Sequence, residues 1–188
     1  MLAGADAIGL VFVPSSPRYI TIDTAQSLIA AIPPFVSRVG LFMDQSEVEV
    51  RQVLEQVALD LLQFHGQESS EFCEQWPLEY IKAIPMGGGV NPVEFAANYK
   101  NTRAFLLDSN ALGGSGGMGE TFDWQAIPEL NKPVILAGGL NPGNVCSAVS
   151  QTRPWAVDVS SGVESAKGIK DAAKIGSFVE QVYKGDIA

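Results

Sequence analysis

The sequence predicts an α/β chain of the (β/α)8 barrel type, one strand short, and two observations carry that expectation. Short β-branched runs alternate with amphipathic stretches at regular spacing, which leaves either a doubly wound open sheet or a barrel. No G-x-G-x-x-G fingerprint follows the first run, and small or titratable residues recur where several runs end. Both features favour the barrel. The strand candidates are Ala7–Val13, Ser37–Phe42, Leu59–Phe64, Tyr80–Ile84, Ala104–Leu107, Val134–Ala137 and Trp155–Val159. Most are apolar on both faces, as a buried parallel sheet requires. Seven strands and 188 residues fall short of the eight strands and roughly 250 residues typical of the fold. The opening Met1-Leu-Ala-Gly-Ala-Asp6 reads as the tail of a helix entering a strand. We therefore expect one domain over residues 1–188 that lacks the first β-strand and most of the first helix. Its gap should fall between the Ala7–Val13 and Trp155–Val159 strands.

The helices carry their own signals. Asp23 or Thr24 caps a helix that turns Leu28, Ile29 and Ile32 inward and is stopped by Pro33-Pro34. Ser46-Glu-Val-Glu49 reads as a capping box ahead of Val53, Leu54 and Val57. Asn91-Pro92 and Asn141-Pro142 each match a cap followed by proline at the first helical position, with Phe95/Tyr99 and Val145/Val149 as buried stripes. The last helix, about Asp171 to Tyr183, buries Ile175, Phe178, Val179 and Val182.

Composition bounds the function. At 46% hydrophobic and 18% charged, with no apolar run near the roughly 20 residues of a membrane span, the chain reads as soluble and cytoplasmic. Nothing at the start resembles a secretory signal. Two cysteines cannot frame a disulfide scaffold, and a net charge of −9 argues against nucleic acid or an anionic membrane as partner.

The strand endings suggest chemistry. Pro133-Val-Ile-Leu-Ala-Gly-Gly-Leu140 and Trp155-Ala-Val-Asp-Val-Ser-Ser-Gly162 both end an apolar strand in small residues, where backbone N–H groups of Gly138, Gly139, Leu140, Ser160, Ser161 and Gly162 can converge on an anion. The loops after the last two strands of a barrel are the usual phosphate cup. Taken singly, either glycine pair serves equally as a tight strand-to-helix turn. Asp108 ends a Phe-Leu-Leu strand, where it either caps the next turn or works as a partly desolvated acid. His65, the only histidine, either lines a pocket or is a satisfied structural residue.

Several motifs occur in order: Gly4-Ala-Asp-Ala-Ile-Gly-Leu-Val-Phe12, Ser16-Pro-Arg-Tyr19, Pro33-Pro-Phe-Val36, Leu62-Gln-Phe-His-Gly66, Leu106-Leu-Asp108, Gly113-Gly-Ser-Gly-Gly-Met-Gly119 with Thr121-Phe-Asp-Trp124, Leu136-Ala-Gly-Gly-Leu-Asn-Pro142 and Asp158-Val-Ser-Ser-Gly-Val-Glu164. Together, and nearly end to end, they resemble the phosphoribosylanthranilate isomerases of tryptophan biosynthesis. The resemblance implies a (β/α)8 enzyme without metal or organic cofactor that rearranges N-(5-phosphoribosyl)anthranilate to the 1-amino-1-deoxyribulose 5-phosphate. It further implies Asp108 as general acid, Arg18 as the grip on the anthranilate carboxylate, the two glycine-rich endings as phosphate cup, and Asp158 as a contact to sugar hydroxyls or a loop-ordering residue. The Gly113–Gly119 loop would be a mobile cover or a flexible connection.

The family's general base is a cysteine in a Lys-Ile-Cys-Gly type motif at the end of the first strand, and this sequence contains no such motif. Cys73 and Cys146 have the spacing of packing residues on outer helices. The chain as written is thus expected to turn over weakly or not at all, and strands left unpaired by the missing segment invite self-association. A sugar-phosphate isomerase of histidine biosynthesis and a non-catalytic phosphate-binding or assembly module are the alternatives.

Overall fold

Seven parallel strands form one sheet in chain order: β1 (Ala7–Val11), β2 (Ser37–Phe42), β3 (Leu61–Phe64), β4 (Tyr80–Pro85), β5 (Ala104–Asp108), β6 (Val134–Leu136) and β7 (Ala156–Val157). The structure is a computed structural model describing residues 3–109 and 122–187. The expected Gly113–Gly119 cover lies outside those residues. Each strand pairs in parallel with its neighbours, while β1 and β7 do not pair with each other. The sheet is therefore a barrel wall left open where the gap was expected.

Alternation along the strands divides the core in two. Leu62, Phe64, Tyr80, Ile84, Phe105 and Leu107 face the helices, where they pack with Val50, Val53 and Trp76. Ile81, Ala83, Ala104, Leu106, Ile135 and Ala137 line the inner face. Because this period is two, Asp108 continues the inward row begun by Ala104 and Leu106.

Helices α1 (Ile22–Ile29), α2 (Glu47–Gln56), α3 (Ser70–Glu74), α4 (Pro92–Ala96), α5 (Val145–Thr152) and α6 (Ala172–Asp186) alternate with the strands. The capping box at Ser46 and Glu49 forms, and so do the Asn91 cap with Pro92 at the first position and the Asp171 cap of α6.

Three expectations need correction. The cap of α1 is Thr21, whose hydroxyl accepts from the Thr24 N–H; the helix starts earlier than expected, and Leu28 comes out exposed while Ala25 is buried. Asn141 does not cap α5 directly. It holds a turn by accepting from Gly143 N–H, and the helix begins after Asn144. The first, third, sixth and last strands are shorter than their apolar runs, and Trp155 is exposed rather than part of β7. Unforeseen were an antiparallel hairpin of β8 (Glu164–Ala166) and β9 (Ile169–Lys170) and two short 3-10 turns, Trp124–Ala126 and Ser161–Val163.

Candidate active site

Three inward strand ends bring titratable groups together. His65 follows β3, and its Nε2 lies 3.1 Å from Asp108 Oδ2 at the end of β5, with both side chains largely shielded. Gln63, two residues earlier on the same face, has Nε2 3.3 Å from His65 Nδ1. With the Gln63 amide donating to Nδ1, Nε2 carries the hydrogen that faces Asp108. Asp158 follows β7, its N–H donating to Leu136 O at 2.8 Å. Desolvation pushes its carboxyl above the usual range against the pull of His65; Asp108 adds to the rise and Lys170 opposes it. Water reaching this exposed residue across the open edge limits the size of that shift.

The glycine-rich endings meet one another. Gly138 and Gly139 both have φ in the left-handed region, at 78° and 64°. A Cβ on Gly138 would stand 2.4 Å from the Ser109 backbone nitrogen, so the close approach of the β5 and β6 ends itself requires glycine. A Cβ on Gly162 would fall 1.9 Å from Leu140 O, so the turn after β7 rests directly on the turn after β6. Leu140 buries its side chain and offers only backbone. The N–H groups of Gly139 and Leu140 have no hydrogen-bond partner among the described residues. Backbone donors left over at two touching turns are the kind of groups an anion can use.

Arg18 lies across the opening. Its Nε and Nη2 donate to Glu164 Oε1 and Oε2 at 2.7 and 3.0 Å, so the guanidinium already carries one carboxylate fork. Lys170 Nζ also donates to Glu164 Oε1 at 3.0 Å, and to Ser160 O at 2.8 Å. Sequence reasoning missed Lys170 and left Glu164 without a role. Their only signal was charge beside the Ser160–Gly162 turn.

Neither cysteine is at the mouth. Cys73 is fully buried on α3, and desolvation pushes its thiol up to about 12; Cys146 lies on α5. Two open recesses, of about 390 and 450 Å³, lie apart from the His65–Asp108 pair, the first between α1 and α2 beside Phe12 and Phe42 and the second around Pro33–Ser37.

A parallel barrel wall with acid–base groups at its strand ends has the plan of a (β/α)8 enzyme, and comparison with known proteins narrows the class. The chain belongs to the N-(5'-phosphoribosyl)anthranilate isomerase family, whose sequence model matches residues 1–181. It is 53% identical over 182 residues to the isomerase of Pseudomonas syringae pv. tomato, covering 96% of this chain and 88% of that protein. The crystal structure of phosphoribosyl anthranilate isomerase from Thermotoga maritima superposes with a TM-score of 0.85 at 39% identity, covering 96% of this chain and 89% of that one. A further crystal structure of the enzyme, in complex with reduced 1-(o-carboxyphenylamino)-1-deoxyribulose 5-phosphate, gives 0.80 at 37% identity over the same shares. The family places the chain among isomerases of tryptophan biosynthesis, with a phosphorylated small molecule as substrate.

Proposed function

We propose that the strand-end cluster of this chain binds N-(5'-phosphoribosyl)anthranilate and supplies the acid half of its Amadori rearrangement. The observation that carries this reading is the Asp108 carboxyl, 8% exposed, facing the inner side of the sheet with His65 Nε2 against it. In the first step Asp108 gives a proton to the furanose oxygen. The anthranilate nitrogen lone pair forms the C=N bond as the C1–O bond breaks. A base then takes the proton from C2, leaving an enol-amine that tautomerises to the ketone. His65, hydrogen-bonded to Asp108, orients the carboxyl and favours its return to charge once the proton has left. The phosphate rests on the Gly138–Leu140 and Ser160–Gly162 turns, Arg18 takes the anthranilate carboxylate, and Asp158 meets sugar hydroxyls.

The base is the incomplete half. The buried Cys73 thiol is held neutral, and Cys146 lies on a helix of the outer layer. Among the described residues no cysteine stands at a strand end. We infer that the 188-residue chain binds the substrate but turns it over slowly, since losing a general base costs about 10²- to 10⁴-fold. The open edges of β1 and β7 make concentration-dependent self-association its second property. Action on a small metabolite favours the cytoplasm. No helix among the described residues is long and apolar enough to cross a membrane.

The test pairs calorimetric binding of the reduced product analogue with turnover. Binding should be measurable and turnover low for the chain as it stands, and turnover should recover when a strand ending in cysteine is added ahead of Met1. Absence of binding would refute the substrate assignment. Fast turnover by the unextended chain would refute the assignment of the missing base.

A further inference from the structure

Glu164 holds more partners than a surface carboxylate needs. Its side chain is only 6% exposed, yet it accepts from Arg18 Nε and Nη2, Lys170 Nζ and, at 3.2 Å, Gly168 N–H. Arg18 comes from the loop after β1, whereas Glu164, Gly168 and Lys170 come from the β8–β9 hairpin after β7. The contact therefore spans the one place where the sheet has no strand-to-strand hydrogen bonds. Lys170 continues the chain of contacts to Ser160, donating to its carbonyl and, at 3.3 Å, to its hydroxyl. A shielded ion pair is a poor device for stability alone, because desolvating both ions offsets most of their attraction. It is a good device for holding a guanidinium in one orientation.

We propose that Glu164 is a positioning residue for substrate binding: it fixes Arg18 at the carboxylate end of the substrate and, through Lys170, ties that end to the phosphate turn. This rests on the isomerase reading given above. A guanidinium has five N–H donors, and Glu164 engages Nε–H and one of the two on Nη2. Among the described residues nothing engages the hydrogens of Nη1 or the second one of Nη2, an edge that suits a further bidentate carboxylate. Glu164 thus presents Arg18 without occupying the edge the substrate needs. Without it, the guanidinium would sample many rotamers and lose part of its binding energy to ordering.

The test compares E164Q with the unaltered chain, using two calorimetric probes: the reduced product analogue and the same compound without its ring carboxylate. E164Q should weaken the carboxylate-bearing analogue by about tenfold or more and the carboxylate-free one by about twofold or less. The Arg18 Nε–H resonance, sharp and protected from exchange in the unaltered chain, should broaden in E164Q. E164D keeps the charge but shortens the reach, so it should regain part of the discrimination and guards against a glutamine variant that folds poorly. Equal losses for both probes, or an unchanged Arg18 resonance, would show that Glu164 only fastens the hairpin and would overturn the proposal. Failure of the unaltered chain to bind either probe would instead sink the isomerase reading, and this inference with it.

Discussion

Lys82 in β4 and Asp108 in β5 are both withdrawn from water and both held against an ionisable partner, yet they face opposite sides of one sheet. Lys82 is fully buried among the helix-facing residues. Its Nζ donates to Glu68 Oε2 at 2.7 Å and Gly66 O at 2.6 Å, and lies 5.4 Å from the centre of the Tyr99 ring. Glu68 in turn accepts from the backbone N–H groups of Asp44 and Gly66. Every member of that cluster is satisfied within the wall, so its work is to fix the β3–α3 loop. Asp108 stands on the inner face at the strand end, where a ligand can arrive. Strand parity, and not burial or charge, separates the ionic cluster inside the wall from the group on its inner face.

Lys82→Met gives the largest effect that could break this contrast. It leaves Glu68 charged and buried, so unfolding in urea should show a loss of about 3 to 5 kcal/mol. Affinity for the reduced product analogue, measured on the folded fraction, should stay within about twofold. A selective loss of affinity with stability intact would place Lys82 in the site and erase the distinction.

Asp108→Asn should do the reverse. In the chain extended with a cysteine-bearing strand, turnover should fall by about 10²-fold or more while stability changes by about 1 kcal/mol or less, because the amide keeps the volume but cannot donate a carboxyl proton. An unaffected rate would remove Asp108 from the acid role.

Glu164 sharpens the contrast through pH. Burial alone would raise its carboxyl, but hydrogen bonds from Arg18, Lys170 and the Gly168 N–H overturn that and hold it at about 2, below the ordinary 4.5. A group depressed in the folded state adds stability above its unfolded value and loses it as pH falls toward the folded one. The stability difference between the unaltered chain and E164Q should therefore be constant near neutrality and shrink from about pH 4.5 down to about 2. A difference that persists undiminished at pH 2 would mean the ionised carboxylate is not what holds the hairpin.

The smallest effect concerns the thiols. With its thiol pushed up to about 12 and fully buried, Cys73 should resist alkylation at pH 8 until the chain unfolds, while the partly exposed Cys146 reacts first. Mass mapping of the labelled peptides checks the order.

The strands and most caps were legible because their signals are local. An apolar run, an Asn-Pro pair or Ser46 with Glu49 needs only a few neighbouring residues. The α1 cap misled because Thr21, Asp23 and Thr24 are all competent caps, and reading the inward face from bulky apolar residues alone passes over small Ala25 for Leu28. Asp108 and His65 could be singled out by their places at strand ends, although nothing local showed that they touch. The partnerships that the sequence concealed join residues far apart: Glu164 meets Arg18 across 146 positions, and Lys82 meets Glu68 across 14. Only the folded sheet decides which charges meet.

The open edge also writes a rhythm into β1. Phe12 N–H donates to Leu41 O in β2, so by the two-residue period Leu10 and Ile8 donate the same way, and the N–H groups of Ala7, Gly9 and Val11 point into the gap. Deuterium should therefore enter this strand at every second amide within the dead time of the experiment, while its alternates wait for the sheet to open. Any strand that comes to lie between β1 and β7 would silence the fast set and leave the slow one nearly unchanged.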